Sequence, residues 1–199
     1  MNDFLPKDYD VPVKPGKYMK FQDGENRFRI LSTPIMGWEW WTDADGVVKA
    51  KGDKIRKGDI PVRVHMAGPV IESAAETAKH FWAMKVWNYK EEMIQVLQIT
   101  QASIQKPIKS YANDEDWGSP LGYDIVVSKS GEGLDTEYQV KAKPAKVLDE
   151  RIKYASEEVK VNLGALYASK DPFAETDETV PVDDIDKGIE ELRKATPGK

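Results

Sequence analysis

The side chains in this chain with chemistry to offer are aromatic and cationic, and they gather in three stretches. Residues 49–65 hold Lys49, Lys51, Lys54, Arg56, Lys57 and Arg63 against Asp53 and Asp59, a net charge of +4. Residues 80–89 read as a strand. Alternation places Trp82, Met84 and Val86 on one face and Phe81, Ala83, Lys85, Trp87 and Tyr89 on the other. Residues 25–41 place Arg27 and Arg29 opposite Phe28 and Ile30, then add Trp38, Trp40 and Trp41. Rings of this kind can stack on bases while neighbouring cations neutralise phosphates, and stacking is worth ~1–3 kcal/mol per base. Each stretch also has an ordinary reading. Strand aromatics such as Trp87 and Tyr89 commonly belong to a core. Arg27 and Arg29 can pair with carboxylates on a neighbouring strand. A basic loop can simply be solvated.

Other chemistries find little footing. The chain has no cysteine and two histidines, His65 and His80, so no thiolate metal site, disulfide framework or cofactor is expected. It contains no nucleophile elbow, no phosphate-cradling glycine loop and no HExxH. Asp114/Asp116 and Glu91/Glu92 fall in apparent turns, and Asp124 alone does not make a two-metal site. The expectation is a protein that is not an enzyme.

The elements that must carry these residues can be read from periodicity. Strands are expected at 25–31, 80–89, 93–99, 123–129 and 136–142, with a helix at about 100–111 capped by Thr100 and flawed by Pro107. The order strand, strand, strand, helix, strand, strand is the connectivity of the OB-fold, a five-stranded Greek-key barrel in a mainly β class. Residues 42–78 form a long insertion between its first and second strands. That insertion has a hairpin signal at Asp45-Gly46, a short strand at 61–66 and helix-forming composition at 73–79. Leu148, Ile152, Ala155, Val159, Leu163 and Leu166 recur at helical spacing and predict a C-terminal helix over 148–168, breakable at Gly164.

Ahead of the domain, residues 1–24 read as an arm rich in proline and glycine, in which Tyr9, Val11 and Val13 alternate and could lie against the barrel. The domain then covers 25–170. Behind it, residues 171–191 hold nine acidic side chains and one basic one, and the last eight residues add three cations. With a total charge of −5, the body of the chain is neutral and the acidity is terminal. A neutral body can still present a basic face. Residues 171–199 are expected to be an acidic, disordered tail, with Ile185, Ile189 and Leu192 available to a partner. No apolar run reaches the ~18 residues of a membrane span and no signal peptide precedes the domain, so a cytosolic protein is expected.

Four segments resemble the single-stranded DNA-binding proteins of tailed bacteriophages: GENRFRILSTPIMGWEWW (24–41), KHFWAMKVWNYKEEMIQVLQITQASIQKPI (79–108), DWGSPLGYDIVVSKSGEGLDTEYQV (116–140) and DPFA (171–174). The resemblance spans roughly residues 8–174. It implies an OB-fold protein in the cytoplasm of a bacterial host, coating single strands during replication, recombination or repair, without sequence preference or catalysis. It also implies an acidic tail that recruits replication or recombination partners. Here that tail ends in Arg193, Lys194 and Lys199 and lacks a terminal aromatic, and the zinc ligands of some such proteins are missing. Under this reading Arg27, Arg29, Lys49, Lys51, Lys54, Arg56, Lys57, Arg63 and Lys85 would contact phosphates. Trp38, Trp40, Trp87 and Tyr89 would stack. Two rivals remain: a phage structural or adaptor protein whose tryptophans anchor protein contacts, and a sugar-binding OB module.

Overall fold

A computed structural model describes residues 16–174. Its elements are β1 (Tyr18–Met19), β2 (Gly24–Ile30), β3 (Ile35–Thr42), β4 (Ile60–His65), β5 (Lys79–Asn88), β6 (Met93–Ile99), α1 (Ala102–Asn113), β7 (Asp124–Ser130), β8 (Glu137–Ala142) and α2 (Glu150–Glu158). Short 3-10 turns include Leu163–Ala168. The class is mainly β: eight strands in one mixed, open sheet.

β5 is the hub. Its second half pairs with β2 through Val86, Trp87 and Asn88, and its first half pairs with β3 from Lys79 to Ala83. β2 and β3 thus share one side of β5, separated by a bend at residues 31–34. Ser32 Oγ there accepts the backbone N–H of Lys85, and Leu31 N–H donates to the Lys85 carbonyl. The main path runs β1-β6-β5-β2-β7-β8, with β4 carried on β3. A closed barrel would require the two ends of this path to pair. Instead β1 lies parallel on the outer side of β6, Tyr18 beside Val96 and Met19 beside Leu97, and β8 pairs with β7 alone among the described residues. The expected barrel closure is therefore not present in the described sheet.

Both faces of the sheet centre are buried. On one face Phe28, Ile30, Met84, Val86, Leu97, Ile99, Ile125 and Val127 pack with Ile104 and Ile108 of α1. On the other Phe81, Ala83, Trp87, Ile94 and Val96 pack with Ile152 and Ala155 of α2, then with Val159, Leu166 and Phe173. Burying one such side chain stabilises by roughly 1.5–3 kcal/mol, so α2 and the segment after it are integral to the domain. α2 begins where Asp149 accepts the N–H of Arg151. It stops at Glu158, well before the expected end at 168, because Lys85 draws the carbonyls of Ser156 and Val159 to its ammonium. Residues 171–174 also belong to the fold: Phe173 is buried, and Asp171 accepts from Phe173 N–H and from Lys17. This corrects the expected start of the tail. Of that tail, residues 175–199 lie outside the described residues, as do residues 1–15 with Tyr9, Val11 and Val13.

α1 contains Pro107 and has no side-chain cap from Thr100; its N-cap is Gln101. The carbonyl that Pro107 leaves without a helical donor belongs to Ser103, which faces solvent. The expected helix at 73–79 is only a 3-10 turn at Glu72–Ala74. Among the described residues no helix is long and apolar enough to cross a membrane.

Gly37 shows how tightly β3 is held. A Cβ there would collide with the Val64 carbonyl oxygen of β4 and come within 3.1 Å of Phe81. Gly37→Ala should cost about 1–3 kcal/mol through overpacking, read as a lowered urea midpoint with an unchanged slope. An unchanged midpoint would mean that β4 yields without cost.

Candidate nucleic-acid interface

The basic stretch is built on β3. Lys49 N–H donates to the Trp41 carbonyl, and Thr42 forms a bridge with Val48. The turn between them is the hairpin expected at Asp45-Gly46: Asp43 Oδ1 accepts the N–H groups of Asp45 and Val47. Two copies of one turn then follow. At residues 50–53 the Asp53 N–H donates to the Ala50 carbonyl, and Asp53 Oδ2 accepts Ala50 N–H at 3.0 Å. At residues 56–59 the Asp59 N–H donates to the Arg56 carbonyl, and Asp59 Oδ2 accepts Arg56 N–H at 2.7 Å. Each copy reads Lys-Gly-Asp, with its glycine at φ +93° or +105°, a backbone that only glycine adopts without strain. The lysine before each glycine, Lys51 or Lys57, is exposed.

Lys54 and Arg56 are exposed as well, whereas Lys49 pairs with Asp59 at 3.3 Å. The Arg56 N–H, reinforced by Lys49, holds the Asp59 carboxyl below its ordinary pKa. Lys51, Lys54 and Lys57 make no ion pair among the described residues. Between this loop and the sheet lies a groove of about 400 Å³ that includes Trp41, Lys49, Lys51, Asp53, Glu76 and Lys79. Glu39 also borders it, but its charge is met: Arg63 pairs with Glu39 at 2.7 Å, and Gln98 bonds to both. The loop surface therefore keeps an excess of cations beside a half-buried indole.

The other sequence-predicted residues do not converge on this groove. Trp40 and Trp87 are buried at 4% and 2% exposure, so neither offers a face to a base. Alternation identified the face of β5 correctly, but α2 covers it. Arg63 is buried on Glu39, and Arg29 is buried with Nε 2.6 Å from Asp124, which removes both from phosphate contact. Lys85 is spent on the end of α2, and its burial, aided by Lys160, lowers its pKa. Trp38 is half-buried on the opposite face, edge-on to His80 at 5.6 Å. Arg27 and Tyr89 meet at the far end of β5: the guanidinium lies 4.2 Å over the ring, and both bond Asp124.

Asp124 is 2% exposed and receives Arg27, Arg29 and the Tyr89 hydroxyl. Burial alone would raise its pKa; the two arginines and the hydroxyl overcome this and hold the carboxyl below its ordinary value. The neighbouring-strand reading of the Arg27 and Arg29 pair thus describes the structure.

Sequence reasoning passed over Trp41 and Lys79 as site residues, although their parity puts them on one face with Glu39. It also passed over the Lys-Gly-Asp duplication, which is visible in AKGDKIRKGD. Comparison with protein families, with curated proteins and with solved structures gives no match to this chain.

Proposed function

We propose that this chain binds single-stranded DNA without sequence preference, through the loop at residues 49–58 and the groove beneath it. The observation that carries the reading is the pair of Lys-Gly-Asp turns. They hold Lys51 and Lys57 outward on fixed backbone, with Lys54 and Arg56 between them and Trp41 in the groove wall. A strand would lay phosphates on the loop cations and a base against Trp41, with little loop ordering left to do on binding. The path β6-β5-β2-β7-β8, with α1 between β6 and β7 in the chain, supports an OB-like reading in which β3, its loop and β4 are the insertion. On this reading the role is to coat exposed strands during phage replication, recombination or repair in the host cytoplasm, and it needs no catalysis.

The test is titration of a fluorescent oligo-dT of about 30 nucleotides at low and moderate salt, with duplex as competitor. Wild type should bind in a salt-sensitive manner that duplex does not compete. Lys51→Ala/Lys57→Ala should flatten the salt dependence by about 1.4 in log–log slope, at ~0.7 per lost phosphate contact. A folded protein that ignores the oligonucleotide at low salt would refute the reading.

A further inference from the structure

The Arg27 end of β5 holds a second cationic pocket. Its volume is about 410 Å³, and its lining is Arg27, Asp124, Lys143, Pro144, Ala145 and Lys146. Three of these side chains are cations and one is a carboxylate, and that carboxylate is already engaged: Asp124 receives Nε and Nη2 of Arg27, Nε of Arg29 and the Tyr89 hydroxyl. Arg27 Nη1 has no bond among the described residues, and its side chain is 45% exposed. The guanidinium is aimed by Asp124 below and by the Tyr89 ring, 4.2 Å away. The lysines are also held in place. Lys143 N–H donates to the Asp124 carbonyl at 2.9 Å, and Lys146 N–H donates to the Gly122 carbonyl at 3.1 Å. The Lys146 carbonyl accepts Arg29 Nη1 at 3.1 Å. The segment is thus fastened to β7 and to the buried arginine, while the Lys143 and Lys146 side chains stay exposed and out of any ion pair among the described residues.

An oriented guanidinium with an unused edge, flanked by two ammonium groups, suits a tetrahedral oxyanion. We propose that this pocket binds a backbone phosphate of the same single strand that the loop engages, a second fixed point on one ligand. The inference rests on the single-strand reading above. Residues 79, 81, 83, 85, 87 and 89 share a face by alternation. Lys79, at the loop groove, and Tyr89, at this pocket, therefore sit at opposite ends of one side of the sheet. Ten strand residues separate them by roughly 30 Å. A stacked strand rising ~3.4 Å per nucleotide needs about nine nucleotides to reach from one to the other.

The experiment compares wild type with Lys143→Ala/Lys146→Ala, both full length, binding dT6 and dT25 across a salt series. Thermal unfolding confirms that the variant is folded. The variant should bind dT25 more weakly, with a slope about 1.4 shallower, and should lose part of the affinity that wild type gains between dT6 and dT25. Identical slopes and identical length dependence for the two proteins, with wild type binding dT25, would overturn this inference alone. Failure of wild type to bind dT25 would overturn the single-strand reading, and this inference with it.

Discussion

Asp124→Ala should unfold the protein at a much lower urea concentration than wild type, at a cost of about 3–5 kcal/mol. Removing one partner of a buried ion pair leaves the other charge without compensation, and that penalty sets the magnitude. Here the stranded group is Arg29, 1% exposed between β2 and β7. Its Nη1 would keep the Lys146 carbonyl, but its Nε would face an apolar wall. The Tyr89 hydroxyl would lose its acceptor, and Arg27 would lose its anchor. pH should act through the same group. Because the folded-state pKa of Asp124 is lowered, its contribution is complete above the ordinary aspartate value of ~3.9 and fades as pH falls through the lower folded value. Wild type should therefore lose stability steeply below about pH 4, and Asp124→Asn should show a flatter acid limb in pH-dependent denaturation. Equal midpoints for wild type and Asp124→Ala would show that the cluster contributes nothing net.

Phe173→Ala should be comparably damaging, at about 3–5 kcal/mol for a buried phenylalanine. Phe173 is 1% exposed in the core beneath α2, and Lys17 stands 5.5 Å from its ring centroid. The segment it anchors is fastened at three further points. Tyr167 donates to the Met36 carbonyl and stacks on His65, Ser169 donates to the Pro61 carbonyl, and Asp171 pairs with Lys17. These polar contacts are largely exposed and individually weak, so the phenyl ring is the main fastening. Chemical denaturation should show the loss, and limited proteolysis should cut earlier within residues 159–174. A midpoint within ~0.5 kcal/mol of wild type would mean that the segment does not help to hold the core.

Much of the strand framework was legible because half-buried strands announce themselves by alternation. β2, β5, β6, β7 and β8 fall within a residue or so of their expected places, and the short strand expected at 61–66 is β4. What alternation cannot tell is whether the second face is also covered. Trp87 and Lys85 looked like a ligand face because the helix that covers them lies some seventy residues downstream. β1 was not visible because two residues make no period, and its pairing depends on the open edge of β6. The candidate site was legible as charge but not as geometry: Lys51 and Lys57 stood out by type, while their shared turn depends on hydrogen bonds from Asp53 and Asp59. Arg63 was indistinguishable from the loop cations until Glu39, two strands of register away, claimed it.

β1 is only two residues long, yet it is what stands between β6 and the outside. The strand it shields, Met93–Ile99, is apolar and low in charge, the composition that recruits foreign strands when its backbone is left unpaired. The parallel contact of Tyr18 and Met19 with Val96 and Leu97, tied down by Val96 N–H on the Lys17 carbonyl and by Gln95 on the Gly16 carbonyl, works as a selvedge. A chain trimmed to the compact domain that begins at β2 would keep both cores and lose that hem, and its first failing would be chain-to-chain association rather than unfolding.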